Sequence, residues 1–170
     1  GLIFMNNKLK KVLSDFKGQV FLGPRTATRN ENLNASIPLA PNIPYFDAKI
    51  VLTESFRSDS PIELEQGGYF CNYREKLEGR ATVVERTSSG EPAILRGGNI
   101  NYIAGWLDSK ALKRIVLSAL KKAKLEFFKL PNGVRVRRTS KERFWFNYSS
   151  TVQKAPISNL RPGEVRIERI

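Results

Sequence analysis

The chain has 170 residues, 41% of them hydrophobic, and a net charge of +13 from 29 Lys and Arg against 16 Asp and Glu. That length and composition suit one ordinary domain, or a modest domain with a small appendage, and argue against disorder. With no histidine and a single cysteine, Cys71, Ser-His-Asp and Cys-His triads, imidazole metal sites, four-cysteine zinc sites and internal disulfides are excluded. No cofactor or metal is expected, and any chemistry would rest on carboxylates, lysine or tyrosine. The lone cysteine fits a reducing, cytoplasmic compartment and reads as a small buried or half-buried apolar residue. No apolar run approaches the roughly 18 residues of a membrane span. The first residues, Gly1 to Met5, lack the layout of a signal peptide. The positive charge favours polyanions, yet the basic residues are spread along the chain.

Asn6 or Asn7 can open a first helix with Leu9, Val12, Leu13 and Phe16 on one face, closed by Gly18 in the position after the cap. Gln19 to Leu22 reads as a short strand. Gly23 to Arg29 is then a loop at its carboxyl end, where ligands commonly sit in an open α/β sheet. It is not a phosphate-binding glycine loop; Arg25 and Arg29 could bind an anion, but the expected role is a structural salt bridge. Residues 30–48 read as an ordered connector. Lys49 to Thr53, Pro61 to Glu65, Gly68 to Tyr73 and Arg80 to Arg86 are strand-like, the last ended by the turn Ser88-Ser89-Gly90.

Gly90 to Ala123 is the most legible stretch. Pro92 to Arg96 and Ile100 to Trp106 are strands joined through Gly97-Gly98-Asn99. Asp108 caps a long helix. Its apolar face is expected to be Leu112, Ile115, Val116, Ala119, Leu120 and Ala123, with Lys110, Lys113, Arg114, Lys121 and Lys122 mostly opposite. Beyond the breaker cluster Leu130 to Gly133, Val134 to Arg138 and Arg143 to Tyr148 form strands joined by Thr139 to Glu142. A last strand alternates from Glu164 to Ile170. The alternation in Arg143 to Tyr148 suggests that Phe144 and Phe146 face a core and the arginines face outward. This tail reads as a small antiparallel β unit.

In order, these pieces resemble the C-terminal part of glycoside hydrolase family 42 β-galactosidases. The first helix with QVFLGPRTATRNEN is similar to that family's helix, short strand and "GPRSG"-type loop. LEGRATVVERTSSGEPAILRGGNINYIAGWLDSKALKRIVLSAL resembles its "G-x-PA" and "Y-x-G-T" strands and helix. LPNGVRVRRTSKERFWFNYSS is similar to the "LPxGVEVxRR…FxFNHT" opening of its terminal β domain. Ala27 stands where "GPRSG" has its second glycine, Tyr148 replaces the histidine of "FNHT", and Gly97 and Gly98 sit in a shortened connection. The resemblance implies an α/β fold: a partial flavodoxin-like trimerisation domain over 1–128, and a small antiparallel β domain over 129–170. It implies a homo-oligomer, with a trimer favoured, and a catalytic barrel supplied in cis or in trans. A retaining glycosidase needs two carboxyl groups about 5–5.5 Å apart. The family's two glutamates lie on the barrel, so neither is carried over to any residue here. The expected function is therefore the non-catalytic structural portion of a β-galactosidase.

Two other readings stay open. Arg135, Arg137, Arg138, Lys141 and Arg143 beside Trp145 and Tyr148 form a mix that can neutralise phosphate and stack bases, so a stand-alone nucleic-acid-binding module is the alternative. Trp106, Trp145 and Tyr148 would stack on a sugar ring in a sugar-binding domain. Glu63 and Glu65, two apart, read as solvated surface rather than a catalytic pair.

Overall fold

A computed structural model of the chain describes residues 3–36 and 41–170. Residues 37–40 of the expected connector lie outside the described part. The chain divides into two units, Gly1–Leu125 and Glu126–Ile170.

In the first unit the Asn6 side chain accepts from the Leu9 N–H at 2.9 Å and caps α1, Asn7–Asp15. The helix stops at Phe16, whose extended backbone ends it before Gly18 is reached. Gly18 is thus not its terminator. Leu9 and Leu13 pack on the core, but Val12 and Phe16 are exposed, so only half of the expected apolar face is used.

Strand β1, Val20–Leu22, feeds the edge of a sheet whose other members are β5 (Thr82–Arg86), β6 (Pro92–Gly97) and β7 (Ile100–Ile103), in the order β1-β7-β6-β5. β1 runs parallel to β7, while β7, β6 and β5 pair antiparallel. The β6–β7 turn is two residues long. Gly97 belongs to the strand, where an added Cβ would lie 2.1 Å from the Tyr45 carbonyl oxygen. That close approach requires glycine.

A second sheet is built on β4, Tyr69–Gly79, flanked by β2 (Ala48–Ser55) and β3 (Ile62–Glu63) and joined by β8 (Gly105–Leu107). The expected continuous strand from Ile100 to Trp106 is therefore broken at Ala104. Its N–H bonds back to Ala93 of the first sheet, while its carbonyl accepts from Glu75 of the second. The chain changes sheets there because Gly105 lies against the Phe70 ring, where a Cβ would sit 2.5 Å from ring carbon.

Helix α2, Ser109–Lys122, is capped by Asp108, which accepts from Ala111 N and Lys110 N. Ala111 and Ile115 are its buried positions, whereas Leu112 and Val116 are exposed. The inward face is rotated from the expected one because Arg114 turns in to meet the buried Glu85, at 2.7 and 3.1 Å. The unit's core gathers Phe70, Leu95, Ile100 and Tyr102, with Ile43 and Phe46 contributed by the connector.

The second unit is a three-stranded antiparallel sheet, β13-β10-β9, from β9 (Val134–Arg138), β10 (Glu142–Asn147) and β13 (Val165–Arg169), with a small hairpin of β11 (Gln153–Lys154) and β12 (Asn159–Leu160). Its core is Val134, Trp145, Ala155 and Leu160. The β10 alternation is opposite to expectation: Trp145 and Asn147 are 1% exposed, and Phe144 and Phe146 lie on the other, half-open face. Among the described residues the architecture is β-rich with two helices.

Candidate functional site

Glu75 is the feature that sequence reading did not single out. It is 1% exposed and accepts hydrogen bonds from the Tyr102 hydroxyl at 2.6 Å, the Arg25 backbone N–H at 2.8 Å and the Tyr73 hydroxyl at 3.1 Å. Burial pushes its carboxyl above the usual carboxylate range, and these three donors only partly offset that. Burial and then the Glu75 charge push the Tyr73 phenol up to about 12 and raise that of Tyr102 as well. Both tyrosines are thus donors throughout the physiological range.

A strand with Phe70 buried should point Glu75 to the opposite face, since five is an odd number of steps. Asn72, at φ 61°, breaks that alternation, and the β4–β8 register shifts between Phe70 and Arg74. Phe70, Glu75 and Leu77 are consequently all buried. The charged run Arg74-Glu75-Lys76 hid the strand's continuation beyond Tyr73. A carboxylate followed two residues later by Leu77 was the available signal.

Glu75 fixes the loop after β1. Arg25 and Ala27 both take left-handed backbone conformations, at φ 64° and 52°, and Thr26 Oγ1 bonds the Gly23 carbonyl at 2.8 Å. The left-handed conformation at Ala27 gives a physical reason for glycine in a related loop. Arg25 and Arg29 are exposed, and neither forms the expected salt bridge among the described residues. Beside them opens a cleft of about 590 Å³ lined by Arg25, Thr28, Arg29, Thr53, Tyr73 and Glu75, with Ile3, Val51 and Leu52 as an apolar side. Tyr73 also packs against Trp106, ring centroids 5.3 Å apart. Glu75 is the sole carboxylate among the described lining residues, so the cleft has donors to offer and no acid–base pair.

The basic cluster of the second unit is split. Arg135, Arg137 and Arg138 are exposed strand positions and Lys141 lies in the adjoining turn. Across the sheet Arg135 pairs with Phe146 and Arg137 with Phe144, on one face; Arg138 pairs with Arg143 on the other. Arg143 is engaged by Glu126 at 2.5 Å and Glu168 at 3.5 Å and lies over the Phe128 ring at 5.2 Å. Trp145, offered as a base- or sugar-stacking residue, is instead core. Its indole N–H donates to Glu168 at 3.1 Å, and Phe128 packs edge-on at 5.1 Å. Trp106 is 48% and Tyr148 71% exposed. Glu63 and Glu65 are both exposed.

A β-rich framework carrying two helices, followed by a separate three-stranded β unit, is the kind of fold found at the C-terminal end of β-galactosidases. The solved β-galactosidase of the psychrophilic Marinomonas ef1 matches 98% of this chain with 28% of its own, at TM-score 0.85 and 22% identity. That of Bacillus circulans sp. alkalophilus matches 99% with 32%, at TM-score 0.85 and 13% identity. In sequence, a β-galactosidase of Thermus thermophilus is 28% identical over 148 residues, which are 84% of this chain and 23% of the relative. Residues 133–169 match the family model described as the β-galactosidase C-terminal domain. The chain is similar to the C-terminal portion of glycoside hydrolase family 42 β-galactosidases. It spans about a quarter of the length of the curated relatives it matches.

Proposed function

We propose that this chain is the structural and oligomerisation portion of a cytoplasmic β-galactosidase. Hydrolysis of terminal β-galactosides would reside in a catalytic barrel in the same polypeptide or a separate one. Residues 1–128 would be the C-terminal part of a flavodoxin-like trimerisation domain, and 129–170 its small terminal β domain. The observation that carries this reading is the unpartnered apolar surface of the first unit. Among the described residues β1 pairs on one side only, Phe21 on it is exposed, and Val12, Phe16, Leu112 and Val116 are exposed on or at the end of the two helices. Such an edge and such apolar side chains are what an assembly covers. Light scattering of the purified chain across a concentration series tests it. The expected species is a trimer, and a monomer at every concentration overturns the oligomerisation role.

A second reading is favoured by one observation. Phe144, Phe146, Val165 and Ile167 share the open face of the second unit's sheet with Arg135 and Arg137. An aromatic sheet face flanked by arginines can stack single-stranded nucleic acid. Anisotropy titrations with labelled oligonucleotides separate the two. Binding that is weak, indifferent to sequence and abolished by salt reflects charge alone; tight, sequence-selective binding would favour the module.

A further inference from the structure

We propose that the cleft beside the Gly23–Arg29 loop is a binding site for a small organic carboxylate. Its anionic head would sit between Arg25 and Arg29, and its apolar body against Ile3, Val51 and Leu52. Three observations converge on it. The loop follows β1, the edge strand of its sheet, and faces β2 and β4 of the second sheet across the cleft. Two non-glycine residues of the loop, Arg25 and Ala27, are held at positive φ, a cost that persists only where the surroundings enforce it. One enforcing group is visible: Glu75 reaches across 50 residues of sequence to take the Arg25 backbone N–H. The Arg25 charge acts on Glu75 and Tyr73 without closing a salt bridge among the described residues. The cleft, at about 590 Å³, has the size of a small-molecule site.

The chemistry of the lining selects the ligand. Arg25, Arg29, Thr28, Thr53 and Tyr73 supply many donors, and Glu75 is already occupied by three. The two arginines bring positive charge to the wall, which favours an anion over a neutral sugar. A bare inorganic anion would leave Ile3, Val51 and Leu52 facing water, whereas a carboxylate with a branched hydrocarbon body uses both sides.

Calorimetric titration of 4-methylpentanoate into the full 170-residue chain tests this, with acetate, 4-methylpentanamide and inorganic phosphate alongside. Saturable binding of 4-methylpentanoate is expected, about tenfold tighter than acetate or phosphate because of the buried hydrocarbon. The uncharged amide should not bind. Arg25→Gln with Arg29→Gln should weaken binding at least about tenfold, while Arg137→Gln on the other unit should leave it unchanged. Leu52→Asp, at an exposed strand position, provides a second variant that should also abolish it. Absence of saturable binding, equal binding of the amide, or equal loss in Arg137→Gln would overturn the proposal. Each of these readouts is independent of whether the chain forms a trimer.

Discussion

Glu75 couples the first unit to pH in a definite direction. Its folded value is raised above the ordinary 4.5, so the folded state holds the proton more tightly than the unfolded chain does. Its favourable contribution is therefore fully present below 4.5 and is lost as pH rises through the raised value. Glu91, held down by Lys76, acts in the opposite sense, with stability present above 4.5 and lost on acidification. A difference measurement separates them. Urea midpoints for the native chain and Glu75→Gln, measured across the acidic and neutral range, should show the native chain losing ground to the variant as pH rises. A constant difference would refute the assignment. In the second unit, Asn147 does comparable structural work. Its side-chain N–H2 donates to the carbonyls of Thr151, Leu160 and Arg161, and its oxygen accepts from Ser149 N and Oγ. Asn147→Ala strands several buried backbone groups and should cost about 3 kcal/mol in denaturant unfolding of that unit. Sequence reading placed this residue in a strand, but only its position among three chain segments shows why an amide is needed there.

At the level of elements, α2 is held by one polar contact as much as by its apolar side chains. Arg114 bonds Glu85, Gln66 and the Gly67 carbonyl together, and Glu85 is itself buried. Arg114→Ala leaves that carboxylate unpaired and should destabilise the first unit by about 3 kcal/mol. Pairing it with Glu85→Leu should recover most of the loss, and recovery measured as a double-mutant cycle decides the point. The helix itself, its Asp108 cap and its length were legible because cap chemistry and period act locally. Its rotation was not, since a charged residue facing inward is invisible until its partner strand is in place. The same holds for β10, where Trp145 rather than the phenylalanines turned to the core. Period two fixes that alternate residues share a face, but which face is buried depends on what packs against it.

For the whole molecule, the exposed stripe Leu112 and Val116 links the structure to the proposed assembly. Leu112→Glu with Val116→Glu changes two surface positions one helical turn apart, so unfolding of the isolated chain should shift by less than about 1 kcal/mol. Self-association by light scattering should nevertheless be lost; an unchanged oligomer would move the interface elsewhere. The charge of +13 is distributed over both units along the chain, and several of its members are consumed internally. Arg74 lies between Glu54 and Glu91, Arg166 against Glu164, and Arg143 between Glu126 and Glu168.

The sequence by itself determined the local events. These were the Asn6 and Asp108 caps, the glycine turn between β6 and β7, the hairpin of β9 and β10, and the absence of any histidine-based chemistry. It also carried enough ordered similarity to reach the C-terminal portion of a family 42 β-galactosidase. Each of these depends on residues a few positions apart or on composition. Tertiary structure alone decided where charges could be buried. The irregularity at Asn72 that turns Glu75 inward, the change of sheet at Ala104, and the rotation of α2 toward Glu85 all depend on partners far along the chain. A buried carboxylate is tolerated only where distant donors converge on it, and that convergence exists only once the chain has folded.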